Sequence, residues 1–133
     1  MFDRLAVYTP QALAVLRIVT ALLFIESGSQ KLFAFPAPFP FPVEGMLLVA
    51  GILEFVGGLL MLVGLFTRPV AFLLCGFMAV AYWTGHFPMG FWPSVNMGGG
   101  AILYCFIFLY LFFAGPGAWN LDDMLKSRRA ATA

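Results

Sequence analysis

GMLLVAGILEFVGGLLMLVGLF, residues 45–66, carries a single charged group, Glu54, close to its middle. As an α-helix rising ~1.5 Å per residue, the stretch spans roughly the hydrocarbon core of a bilayer. Glu54 then lies near the membrane midplane, where an unpaired charge costs several kcal/mol. An ionisable group at that depth faces a protein interior or a wet cavity and is a functional-site candidate by default.

The rest of the chain has the same character. Of its 133 residues 62% are hydrophobic and 10% charged, and the mean hydropathy is +0.97; a soluble domain carries about 25% charge. Four apolar stretches, about 11–35, 45–66, 69–84 and 96–114, use up most of the sequence, which leaves one membrane domain over 1–133 and a short tail, 118–133. The period-two alternation of a membrane β-barrel is absent, so the expectation is an all-α, integral membrane four-helix bundle. Pro36, Pro38, Pro40 and Pro42 interrupt the first connection, Thr67-Arg68-Pro69 makes the second turn, and His86 to Pro93 forms the third loop.

Asp3 and Arg4 precede a full-length span with no small-residue cleavage site, so the first helix is expected to be retained. Arg4, Arg68, Lys126, Arg128 and Arg129 fall at the termini and the second turn. The positive-inside rule then puts both termini in the cytoplasm, in the multi-pass topology of a bacterial inner-membrane protein. Glu26 and Glu54 come to one level, roughly 13–15 Å below the outer surface. Tyr104 reaches a similar depth, and Gln30, Lys31, Tyr82, His86 and Asn96 lie nearer that surface. On the first helix Glu26 shares a face with Gln30 and Phe33, whereas Arg17 shares the opposite face with Gly28 and Lys31. Both faces cannot point into one narrow core: either Ser27-Gly28-Ser29 distorts the helix, or one set lines a contact between protomers of a homo-oligomer.

Glu54 has small neighbours on its own face, Ala50, Gly51 and Gly58, which let a donor-bearing helix approach. It reads as a proton-handling carboxylate, against the plainer alternative of a paired group that fixes the helices. Lys31 reads as a snorkelling anchor or, with Gln30, as part of a ligand site; Arg17 reads as an anchor, an ion-pair partner or a head-group ligand. Tyr82, Trp83, His86, Phe91 and Trp92 form an aromatic cluster. An interfacial belt has that composition, and so does the wall of a site for a flat carbonyl-bearing ring such as a quinone, with His86, Asn96 and Tyr104 as donors. Cys75 and Cys105 each fall inside a span without a C-x-x-C pair, and read as small packing residues rather than a thiol relay. No metal or haem signature is visible, and a net charge of +1 argues against nucleic acid as a partner.

Gly28-Ser29-Gln30-Lys31-Leu32-Phe33, Gly51-Ile52-Leu53-Glu54-Phe55-Val56-Gly57-Gly58, Gly64-Leu65-Phe66-Thr67-Arg68, and Gly115-Pro116-Gly117 followed by Asn120-Leu121-Asp122 occur in that order. In this the chain resembles the DoxX family of small four-helix bacterial membrane proteins. The resemblance implies an inner-membrane bundle from a family named after a quinol-oxidase-associated subunit, with relatives linked to thiosulfate-to-quinone electron transfer or quinone resistance. It also implies that Lys31, Glu54, Arg68 and Asn96 occupy recurrent polar positions of the family.

Together these readings lead to a quinone-linked redox subunit. A quinone or similar ring is expected in the outer half of the bundle, bounded by Lys31, Gln30, Tyr82, Trp83, His86, Trp92, Asn96 and Tyr104, with Glu54 and Glu26 handling protons. Electrons would come from redox partner subunits or from the quinone itself, and the sequence leaves open whether the chain alone is an enzyme. Two rivals stand beside it: a small carrier for a hydrophobic or weakly acidic solute, and a structural subunit of a membrane complex.

Overall fold

The computed structural model describes residues 2–133 and is helical throughout, with no strand among the described residues. A 3₁₀ turn at Phe2–Tyr8 leads into α1 (Thr9–Phe33), followed by α2 (Met46–Val63), α3 (Thr67–Ala81), the short α4 (Pro93–Asn96), α5 (Gly99–Ala114) and α6 (Leu121–Thr132). Among the described residues three helical segments, Phe2–Phe33, Met46–Val63 and Thr67–Met89, are long and apolar enough to cross a membrane; Gly99–Ala114 is apolar but shorter.

The chain forms two compact units. One comprises the chain up to Thr67 together with Pro116–Ala133, and the other is Arg68–Gly115. In the first, α1 and α2 run antiparallel at unusually short range. A Cβ on Gly28 would fall 2.5 Å from the Phe55 backbone nitrogen, and one on Gly58 would fall 2.8 Å from Ile25 Cγ1. Only residues without a side chain allow that approach, which is how small residues build helix interfaces in lipid. α1 stays a continuous helix through Ser27-Gly28-Ser29. The ambiguity of its two polar faces is resolved in favour of Arg17, Gly28 and Lys31, which turn towards α2, while Glu26 and Phe33 are exposed.

α2 ends in a Schellman turn. Gly64 adopts φ 67°, its N–H reaches the Met61 carbonyl at 3.2 Å, and the Leu65 N–H reaches Leu60 at 2.9 Å. The segment expected to be a tail is instead helical from Leu121 and belongs to this first unit. Asn120 caps α6 by accepting from the Asp123 amide at 2.8 Å, the Ala118 N–H reaches the Pro10 carbonyl at 2.9 Å, and the Asp122 N–H reaches the Gly64 carbonyl at 3.0 Å.

In the second unit α3 and α5 are also antiparallel, with the Phe72 and Phe112 rings 5.2 Å apart and Arg68 Nη1 donating to the Phe112 and Phe113 carbonyls at 2.9 and 2.6 Å. The expected loop from His86 to Pro93 is mostly helical as well. α3 runs on through a π-helical turn, Tyr82–His86, and a 3₁₀ turn, Phe87–Met89. The extension survives because the segment is tied from within by Asn96, as described below.

Candidate functional site

The close approach of α1 and α2 brings Ser27 and Lys31, one helical turn apart, over Glu54. Lys31 Nζ lies 2.7 Å from Glu54 Oε2, and both side chains are only 8% exposed. Ser27 Oγ bridges the two, accepting from Nζ at 2.9 Å and donating to Oε2 at 2.9 Å. The remaining Nζ contact, to the Ser27 carbonyl, is long at 3.5 Å. Glu54 Oε1 has no hydrogen-bond partner among the described residues. The pair therefore commits one carboxylate oxygen and leaves the other open, in the middle of an 18-residue apolar helix.

Aromatic rings flank this cluster. The Phe39 ring, from the proline-rich connection, lies 4.8 Å from Nζ, within cation–π range. Phe33 packs edge-on against Phe55, centroids 5.2 Å apart. Ser29 Oγ, bonded to the Glu26 and Phe35 carbonyls at 2.9 Å each, ties the end of α1 to the start of that connection. The sequence marks Lys31 as an anchor reaching for the surface; it is instead drawn inward, because a carboxylate is within reach and lipid offers no competing water. Glu26 is not brought to Glu54, and lies exposed on the other side of α1 with Gln30 half-buried one turn on.

Arg17, fully buried, uses all five of its N–H donors on backbone carbonyls. Nε donates to Pro116 at 2.8 Å, Nη1 to Met61 and Leu62 at 2.7 and 2.8 Å, and Nη2 to Ala118 and Trp119 at 3.1 and 2.8 Å. It is neither a snorkelling anchor nor a head-group ligand, and no donor is left over. Beside it, Asp122 accepts from the Phe66 and Thr67 amides at 2.7 and 2.9 Å. Partial burial pushes this carboxyl up, but those amide bonds and nearby Lys126 outweigh it and hold it below the usual carboxylate range.

In the second unit the organising residue is Asn96, fully buried. Its Nδ2 donates to the Gly90 carbonyl at 2.8 Å and to Tyr82 Oη at 3.4 Å, its Oδ1 accepts from the Gly98 amide at 2.8 Å, and its own carbonyl accepts from His86 Nδ1 at 3.0 Å. The last bond fixes the tautomer with the proton on Nδ1. Tyr82 stacks on His86 at 6.5 Å, and Gly98 has no Cβ where one would fall 2.6 Å from the Tyr82 ring. Tyr104 stacks on Phe108 at 6.3 Å. Trp83 and Trp92 are 59% and 66% exposed.

A sequence profile of the DoxX family matches residues 12–87, more than half of the chain. The chain belongs to the DoxX family. It is 43% identical to an uncharacterized protein of Haemophilus influenzae, over 91% of this chain and 96% of that one. It is 31% identical to the inner membrane protein YqjF of Escherichia coli, over 86% of this chain and 92% of the relative, and 30% identical to the inner membrane protein YphA of the same organism, over 85% and 89%. No solved structure matches. This DoxX protein is thus a bacterial membrane protein, and the Lys31–Ser27–Glu54 cluster lies wholly within the DoxX match.

Two members of the cluster were not singled out as site residues from the sequence. Ser27 had a signal, its position four residues before Lys31 on a helix. Phe39 had none, because a ring in a proline-rich connection acquires its neighbour only when the connection folds back.

Proposed function

We infer that this chain is a quinone-linked redox subunit of the bacterial inner membrane, with both termini in the cytoplasm, and that the Lys31–Ser27–Glu54 cluster is where protons are exchanged. The observation that carries the reading is the division of labour at Glu54: Oε2 is held by Lys31 and Ser27, while Oε1 has no hydrogen-bond partner among the described residues, in the middle of α2. A carboxylate held in this way keeps its position while its free oxygen takes up and returns a proton. Lys31 is the donor suited to a carbonyl oxygen, and Phe39, Phe33 and Phe55 offer ring surface. A quinone supplies two-electron, two-proton chemistry; the protein supplies the proton route and the binding surface. On this reading Trp83 and Trp92, both mostly exposed, serve as an interfacial belt rather than as walls of the site.

The test is photolabelling with an azido-quinone. Labelling is expected on the peptides that carry Lys31, Phe39 and Glu54, saturable and competed by a short-chain quinone. Labelling confined to residues 82–98, or growing without saturation, overturns the reading. Its topological half has a separate check: cysteines introduced at Ala37 and Ala130 are expected to react with impermeant reagents from the periplasmic and cytoplasmic sides respectively.

A further inference from the structure

Cys75 and Cys105 are the only cysteines of the chain, thirty residues apart on different helices, yet their sulfurs lie 3.7 Å apart. The sequence alone makes them unrelated packing residues. The antiparallel pairing of α3 and α5 turns them into a dithiol, with both residues half-buried near the middle of their helices. Bond formation requires the sulfurs to close from 3.7 Å to about 2.05 Å.

The surroundings restrict what could oxidise such a pair. The basic side chains of this unit are Arg68, engaged with the Phe112 and Phe113 carbonyls, and His86, whose Nδ1 meets the Asn96 carbonyl. Neither is placed to stabilise a thiolate, and exchange with a water-soluble disulfide needs a thiolate. An oxidant that suits the site dissolves in lipid and takes protons together with electrons.

We propose that Cys75 and Cys105 form an intramembrane dithiol that a lipid-soluble quinone oxidises to a disulfide. Two S–H bonds break and one S–S bond forms; two electrons and two protons pass to the quinone, whose carbonyl oxygens become hydroxyls. The choice of oxidant rests on the quinone reading above, whereas the pairing of the thiols does not.

The experiment uses the full chain, purified in detergent, reduced and kept anaerobic. It is treated with decylubiquinone or, separately, with diamide, then denatured, alkylated and weighed. Expected with either oxidant is the loss of both alkylatable thiols at unchanged monomer mass save for two hydrogens, and with decylubiquinone one equivalent of quinol per chain. Cys75→Ser and Cys105→Ser should each abolish quinol formation. The proposal is overturned if both thiols stay alkylatable after either treatment, if diamide succeeds and quinone fails, or if the only disulfide joins two chains. Azido-quinone labelling of the Cys75→Ser/Cys105→Ser double variant separates the two ideas: labelling retained at Lys31 and Glu54 leaves the quinone reading standing when the dithiol falls, and labelling lost from the wild type as well removes the reading itself.

Discussion

Arg17 and Lys31 are buried cations on the same helix, roughly 21 Å apart along its axis, and the protein answers them in opposite ways. Arg17 meets only backbone carbonyls, which never titrate and scarcely move. Lys31 meets a carboxylate, a hydroxyl and an aromatic ring. The first arrangement saturates every donor and closes the C-terminal end of α2 against the segment leading into α6. The second leaves an oxygen of Glu54 open. In a medium without water, a charge satisfied by fixed dipoles is architecture, whereas a charge paired with a titratable group can still change its state.

Removing Arg17 tests the architectural half and should have the largest effect. Arg17→Met takes a donor from five carbonyls, among them those of Met61 and Leu62 in the last turn of α2, and is expected to cost at least about 3–5 kcal/mol, seen as loss of a monodisperse folded species in detergent. Arg17→Lys, with three donors in place of five, should fall between. A wild-type melting temperature for Arg17→Met would show that these bonds are redundant and erase the contrast.

The Lys31–Glu54 pair should behave differently. Glu54→Gln keeps an acceptor for Lys31 and is expected to cost about 1–3 kcal/mol while abolishing quinone-dependent proton exchange, read as the disappearance of a carboxyl C=O band from infrared difference spectra on quinone reduction. Lys31→Met with Glu54→Leu removes both charges together. It should restore most of the stability and none of the activity, because exchanging a buried pair for apolar groups is often neutral or favourable. A double variant with both stability and function intact would make the pair structural only, favouring the reading as a structural subunit.

Smaller effects are expected at the rim. Asp122→Asn weakens the bonds to the Phe66 and Thr67 amides and should loosen α6 by about 1 kcal/mol, a modest figure because the site is partly solvated. The folded-state carboxyl titrates below its usual range, so its stabilising contribution is complete above about pH 3.9, the ordinary value, and is lost as pH falls through the lower folded value. Protection of the α6 amides from hydrogen exchange should follow that curve in the wild type and be flat across it in the variant. The smallest effect belongs to Trp83→Leu, expected to change stability by less than about 0.5 kcal/mol and to leave quinone labelling unchanged. A large loss of labelling there would return the site to the 82–98 segment.

How much of this was legible beforehand varies with the residue. Glu54 stood out because any carboxylate in an apolar run does, and its flanking glycines announced a close helix neighbour, which Gly28 and Gly58 bear out. The partner was harder to see. Lys31 sits near the end of its helix, where an anchor and an ion-pair member look alike until the facing helix is placed. Helical angles separated the Arg17–Lys31 face from the Glu26 face but gave no way to choose which one meets α2. Asn96 carried a signal as a polar donor near the aromatic cluster and through family resemblance; its role in holding Tyr82, His86, Gly90 and Gly98 together depends on a π-helical turn that no residue pattern announces.

Hydropathy and punctuation by themselves determined an all-helical membrane protein and its main apolar segments, because the bilayer admits few backbone solutions and each needs a long apolar run; the likeness to the family rested on the order of its motifs. Tertiary structure alone decided that Arg17 is spent on carbonyls, that Lys31 pairs with Glu54, that the C-terminal segment packs with α1 and α2, and that Cys75 faces Cys105. Each of these is a contact between groups far apart in the chain. The physical reason is that helix periodicity fixes which side chains share a face, whereas the identity of the facing neighbour depends on how closely two backbones can approach, and that is set by the absence of side chains at a few glycines.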